Sequence, residues 1–307
     1  MNHRALFHLL FLCSFVCVQS VSHAQTEASA ARKVFETNNS KIYGMRGLVK
    51  LEASMQGKQV LDREIPSFGI GTVISENMLV TSYRTIRPNP TIPGLSRSQK
   101  RALTLNTEVK EIKLVDGSGE EFDAKLVLHD EDLDLAFVAL DPNSDNADSW
   151  SCEPVNISQD IELSHLDNVV FLSRGNESMR FQPSVRVGQV STIIKRPRKL
   201  YSTSTLVTGG AAFNLEGQYV GIGIRKKSGS EGEISAVLPA KYIRKLLPQA
   251  IEKANSVEPE ESAEEVSDEE EEEVANAEEE SEAEESDDKE TEEASNNAEV
   301  EATPHAQ

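Results

Sequence analysis

Cysteine is nearly absent where it would matter. Of the three present, Cys13 and Cys17 sit in the N-terminal apolar run, which leaves Cys152 without a partner in its own chain. An exported domain without a disulfide must rest on its hydrophobic core, and this suits a bacterial periplasmic protein better than a small stapled secreted one. Cys152 itself is read as a buried small residue and not as a reactive thiol. Long apolar runs are missing too, since none beyond Val18 approaches the length that crosses a membrane. No unit of about 20 to 50 residues recurs, which excludes a solenoid or propeller. No ligand spacing points to a metal or another cofactor, and none is expected. Histidine is equally sparse. His3, His8 and His23 lie near the N-terminus and His305 near the C-terminus, so only His129 and His165 remain in the middle of the chain.

What is present divides into three parts. "MNHRALFHLLFLCSFVCVQSVSHAQ" joins a basic Arg4 to an apolar stretch from Ala5 to Val18 and small residues at Ser22 and Ala24. That pattern predicts a signal peptide over 1–24 with cleavage before Gln25, hence export to the periplasm and no remaining membrane span. Residues 256–307 hold 24 Asp and Glu against one Lys and no aromatic side chain. Such a segment cannot bury enough surface to offset its ordering entropy, so a disordered acidic tail is predicted. The tail also carries the charge. The chain is −21 overall, yet residues 1–255 hold 28 acidic and 30 basic side chains. A nearly neutral body with an acidic end excludes a nucleic-acid-binding surface and allows a basic partner for the tail.

The body, 25–255, is a succession of short apolar runs separated by turn residues. "GLVKLEASM", "GIGTVISENMLVTSY", "EVKEIKLVDGSGEEFDAKLVLHD", "LAFVALD", "NVVFLS", "VRVGQVSTII", "AAFNLEGQYVGIGI" and "GEISAVLP" read as strands, several of them alternating apolar with polar residues. Asp116-Gly117 and the turn around Gly217 are hairpin signals. Two helices are expected, one in "TEASAARKVFETNN" and one in "PAKYIRKLLPQAIEKAN", where Pro239 stands near the start. Many closely spaced strands predict an all-β barrel or sandwich.

Three of these stretches stand in an order that resembles the trypsin-like serine proteases of the HtrA/Deg family. "GTVISENMLVTSYRTI" is similar to the segment that carries that family's catalytic His, "EFDAKLVLHDEDLDLAFVALD" to the strand pair around its Asp, and "TGGAAFNLEGQYVGIGI" to its Ser-Gly-Gly-Pro segment. "ISAVLPAKYIRKLLPQAIEKA" resembles the last strand and C-terminal helix. The resemblance spans about Val34 to Lys253 and implies two six-stranded antiparallel β-barrels, a chymotrypsin fold with a C-terminal helix. It carries the His position onto Arg84, the Asp position onto Asp134 and the Ser position onto Thr208.

Two of those three positions depart from the family pattern. Arginine stays protonated and cannot shuttle a proton. A threonine hydroxyl attacks only when a base activates it. No glycine precedes Thr208 in "YSTSTLVTGG", which puts the oxyanion-binding turn in doubt, and Ala211 stands where the family has proline. Arg84 is expected to pair with Asp134 across the cleft. The expectation is therefore an exported, catalytically inactive homologue that binds proteins or peptides. The alternative is an active periplasmic serine-type endopeptidase with displaced groups, for which His129 is the candidate base and Ser82, Ser202 or Ser204 a candidate nucleophile.

Overall fold

A computed structural model describes residues 26–88, 96, 98, 102–227 and 232–256. The expected signal peptide and all of the acidic tail beyond Ser256 lie outside these residues.

A helix, α1, occupies 26–38. Six strands follow, β1 (Ile42–Met55), β2 (Lys58–Ser75), β3 (Met78–Thr81), β4 (Leu103–Val115), β5 (Glu121–Asp130) and β6 (Leu135–Leu140). One helical turn, α2 (Tyr83–Ile86), leaves the end of β3. The second set is β7 (Asn168–Arg174), β8 (Pro183–Ile194), β9 (Leu200–Thr203), β10 (Ala211–Phe213), β11 (Tyr219–Lys227) and β12 (Glu233–Pro239), closed by helix α3 (Ala240–Ser256). Each set forms a closed antiparallel barrel, in the order β1-β2-β3-β6-β5-β4 and β10-β11-β12-β9-β8-β7. The double barrel expected from the sequence is therefore the observed fold.

The strands show why some runs are apolar throughout. Alternate residues of a strand face opposite sides. In β6, Ala136, Val138 and Leu140 fill the inside of the first barrel. Leu135, Phe137 and Ala139 enter a separate layer between the barrels. β7 repeats this pattern. Val169 and Phe171 point into the second barrel, whereas Val170 and Leu172 join the shared layer. A strand buried on both faces has no polar side to show. Each fully buried aliphatic side chain contributes about 1.5–3 kcal/mol, so this two-sided burial stabilises both barrels and their contact.

The interbarrel layer also receives Ile243 and Ala250 of α3, Ala31 and Val34 of α1, and Val155 of the connecting segment. Val155 N donates to Val73 O at 2.9 Å, which fastens that connection along β2. Arg174, at the end of β7, reaches back to the first barrel. It donates from Nε to Ile42 O (2.7 Å) and from NH2 to Asn39 O (3.0 Å).

The β1–β2 hairpin is longer than the sequence predicts. It turns at Gln56 and Gly57, both at positive φ (53° and 77°), and β2 runs from Lys58 through Pro66. Pro66 is tolerated because β3 pairs with β2 only from Thr72 onward, so nothing needs its missing N–H on that side.

Candidate functional site

Where β3 ends, Ser82 leaves the strand in an extended conformation and α2 begins. The β5–β6 corner lies beside this turn. Its last residue, Asp134, has φ of 52°, a left-handed conformation that few non-glycine residues adopt. Local bonds hold it there. Leu133 N donates to Asp130 Oδ1 (2.9 Å) and Asp134 N to Glu131 O (3.3 Å), while Tyr83 N donates to Asp134 O (3.2 Å).

The Asp134 side chain is consequently aimed inward, at 1% exposure. Its carboxylate accepts from Ser82 Oγ (2.8 Å), Arg84 N (2.9 Å) and Arg225 N (2.9 Å). Burial raises its pKa above the usual aspartate value, against the downward pull of the Arg225 and Arg84 amides and the Ser82 hydroxyl. One barrel supplies the acid and two donors, and the other supplies the third donor.

Arg84 meets Asp134 through its main chain only. The expected guanidinium–carboxylate pair does not form. Arg84 NH1 instead donates to Glu233 Oε1 at 3.0 Å, spanning from the first barrel to the start of β12. The geometry explains the change, because the carboxylate already holds three donors within a closed corner.

Among the described residues, neither imidazole bonds to the Asp134 carboxylate. The His129 ring stacks on Tyr83, with centroids 4.3 Å apart and planes 4° from parallel. Tyr83 Oη in turn accepts from Arg87 (2.6 Å), which also pairs with Glu131 (3.1 Å). His165 sits exposed in a turn of the connecting segment. Among the described residues, no histidine hydrogen-bonds Asp134 or Thr208. Ser202 lies in β9. Ser204 Oγ accepts from Gln189 N. Cys152 is half-buried, and burial pushes its thiol pKa up, which agrees with an inert role.

Thr208 begins a turn whose next residue, Gly209, has φ of 77°. Gly209 N donates to Gly223 O (2.7 Å), Gly210 N to Val207 O (3.0 Å) and Gly223 N to Gly210 O (3.0 Å). A Cβ on Gly209 would lie 3.2 Å from Ile70 O, and one on Gly223 only 2.1 Å from Val207 O. Glycine is thus needed twice to seat this turn between β2 and β11. Both amides of the glycine pair are engaged, that of Gly209 by β11 and that of Gly210 within the turn. The Thr208 hydroxyl is half-exposed and has no hydrogen-bond partner among the described residues.

β11 unites the two halves of the site. Gly223 secures the glycine pair and, two residues on, Arg225 N secures Asp134, so both use the same edge of one strand. Among the described residues, no strand pairs with that edge beyond Ile222. β10 pairs with β11 only between Tyr219 and Ile222, while β12 covers the other edge from Gly221 to Lys227.

A family model described as "Trypsin-like peptidase domain" matches residues 69–222, half of the chain. The chain belongs to the trypsin-like peptidase family. The matched span includes Arg84, Asp134 and Thr208 together with all of β3, β6 and β10. Among solved structures, the crystal structure of Deg5 is similar, at 18% identity, over 73% of this chain and 95% of that one, with a TM-score of 0.46. No curated protein matches.

A separate cavity of this peptidase-family domain lies elsewhere. A cavity of about 300 Å³ lies where α1 meets the second barrel, lined by Asn38, Lys41, Asn156, Gln159, Gln218 and Tyr219 among others. It contains none of the three positions singled out by the sequence. Its wall carries the Thr37 and Tyr219 hydroxyls and the Lys41 amine but no carboxylate, imidazole or thiol beside them, so the corner around Asp134 remains the better candidate.

Three participants escaped sequence reasoning. The sequence suggests Ser82 only as a displaced nucleophile, whereas its hydroxyl serves Asp134. Its place just ahead of a helical turn was a local signal for a polar role. Arg225 and Glu233 gave no such signal, because their parts depend on strand pairing in the distant barrel.

Proposed function

We propose that this trypsin-like peptidase homologue does not hydrolyse peptides and instead binds extended protein segments in the cleft between its barrels, after export to the periplasm. The observation that carries the reading is the fate of Arg84. It stands at the position that the family resemblance assigns to the proton-shuttling residue, and its guanidinium pairs with Glu233. Acyl transfer needs a group that takes a proton from the nucleophile and returns it to the leaving amine. Arginine keeps its proton, and Asp134 has its oxygens engaged by three donors. The Thr208 hydroxyl is left without an activating base. In an intact triad, losing the base alone costs on the order of 10⁶-fold in turnover.

Binding asks less of the site than hydrolysis does. A peptide strand can add to an unpaired sheet edge through main-chain hydrogen bonds alone, and past the Arg225 amide that Asp134 accepts, no described strand pairs with that edge of β11. The acidic composition of 256–307 supplies a separate attraction for basic proteins.

The test is exposure of the purified protein to casein and to a fluorophosphonate probe. No cleavage and no labelling are expected. Labelling that disappears in a Thr208→Ala variant would restore the endopeptidase reading.

A further inference from the structure

We propose that the cleft selects peptides carrying an acidic side chain, and that Glu233 occupies the ligand carboxylate's place within the chain. The proposal rests on the peptide-binding reading above and adds the ligand's chemistry.

Three features support it. The Arg84 guanidinium reaches across from the first barrel to the second, and only NH1 is engaged by Glu233. A guanidinium offers five N–H donors in a planar fork matched to carboxylates, so most of its capacity remains open. The pair is also weakly held. The two side chains are 32% and 47% exposed, and solvent-screened pairs of this kind retain their partner by no more than about fivefold. A ligand carboxylate can displace Glu233 or join it at little cost.

The third feature is location. Arg225 N anchors Asp134 at the β11 edge with which no described strand pairs past Ile222, while the Arg225 side chain is exposed and that of Lys226 half-exposed. Two cationic side chains thus flank a segment laid along the edge. Of the acids in the β5–β6 corner, Asp134 is buried and engaged by its three donors, Glu131 is paired with Arg87, Asp130 accepts from Leu133 N and Asp132 is exposed, while Glu233 is the group to be displaced. A basic ligand would meet Arg84, Arg225 and Lys226 as like charges.

The experiment uses the full-length protein and two fluorescein-labelled extended heptapeptides, identical except for a central Glu or Gln. Fluorescence anisotropy gives both affinities. The Glu peptide is expected to bind about tenfold more tightly to the unaltered protein. Glu233→Gln should tighten the Glu peptide by about threefold and leave the Gln peptide unchanged. Arg84→Gln should bring the two peptides to equal affinity. Its backbone amide still serves Asp134, so an unchanged thermal midpoint would separate lost selectivity from lost folding. Equal binding of both peptides to the unaltered protein overturns the acidic preference while sparing the peptide-binding reading. So does an undiminished preference in Arg84→Gln. Failure of both peptides to bind overturns the peptide-binding reading itself.

Discussion

Two carboxylates of the first barrel receive similar hydrogen-bond support in contrasting surroundings. Asp116, in the β4–β5 hairpin, accepts from the amides of Ser118, Gly119 and Glu120 and from the Ser118 hydroxyl, all at 2.8–2.9 Å. Asp134 accepts three bonds of comparable length. Burial works upward on both, but at Asp116 the Ser118 hydroxyl and the Glu120, Ser118 and Gly119 amides together outweigh it, and the pKa falls. At Asp134 burial prevails and the pKa rises. The number of donors therefore does not decide how an acid titrates; the water it keeps does. A turn can hold an anion in solvent by local amides, whereas the interbarrel corner holds one at the expense of its hydration.

Removing each acid should magnify that contrast. Asp134→Ala leaves a buried hydroxyl and two amides without an acceptor, and is expected to cost about 3 kcal/mol or more in urea unfolding. Asp116→Ala exposes its amides to water, which replaces the carboxylate, and should cost about 1 kcal/mol. If Asp116→Ala proved the more damaging, burial would not be what distinguishes the two sites.

A titration of the carboxyl resonances by NMR sharpens the comparison. The Asp116 midpoint should fall below the reference 3.8 and the Asp134 midpoint above it. The linked stabilities then run in opposite directions. Asp116 contributes above pH 3.8, and its contribution is lost as pH falls through its lowered value. Asp134 contributes below 3.8, and its contribution is lost as pH rises through its raised value. The smallest effect belongs to Arg84→Ala. That change removes a screened surface pair and keeps the amide bond to Asp134, so unfolding should shift by less than about 1 kcal/mol.

The legibility of the sequence follows the same division between buried and hydrated. "LAFVAL" and "NVVFLS" announced themselves as strands because both of their faces are covered, one by a barrel interior and one by the layer between barrels. The first half of β2, "KQVLDREI", passed unnoticed, since it extends into solvent with charged residues at Lys58, Asp62, Arg63 and Glu64. At the corner, the sequence brought Arg84 and Asp134 into one neighbourhood but mistook which atoms meet. Charge complementarity suggested the guanidinium. The partner it finds, Glu233, is 149 residues away in sequence, set there by the pairing of β11 with β12, and no local pattern encodes that.

Arg174 has a consequence for how this molecule can change over time. Its two donors reach main-chain oxygens of Asn39 and Ile42, and a carbonyl is present whatever residue occupies the position. Side-chain substitutions at Asn39, ahead of β1, or at Ile42, its first residue, therefore cannot delete these attachments. The relative setting of the two barrels is insulated from drift there, and the groove between them can keep its shape while the residues lining it are replaced.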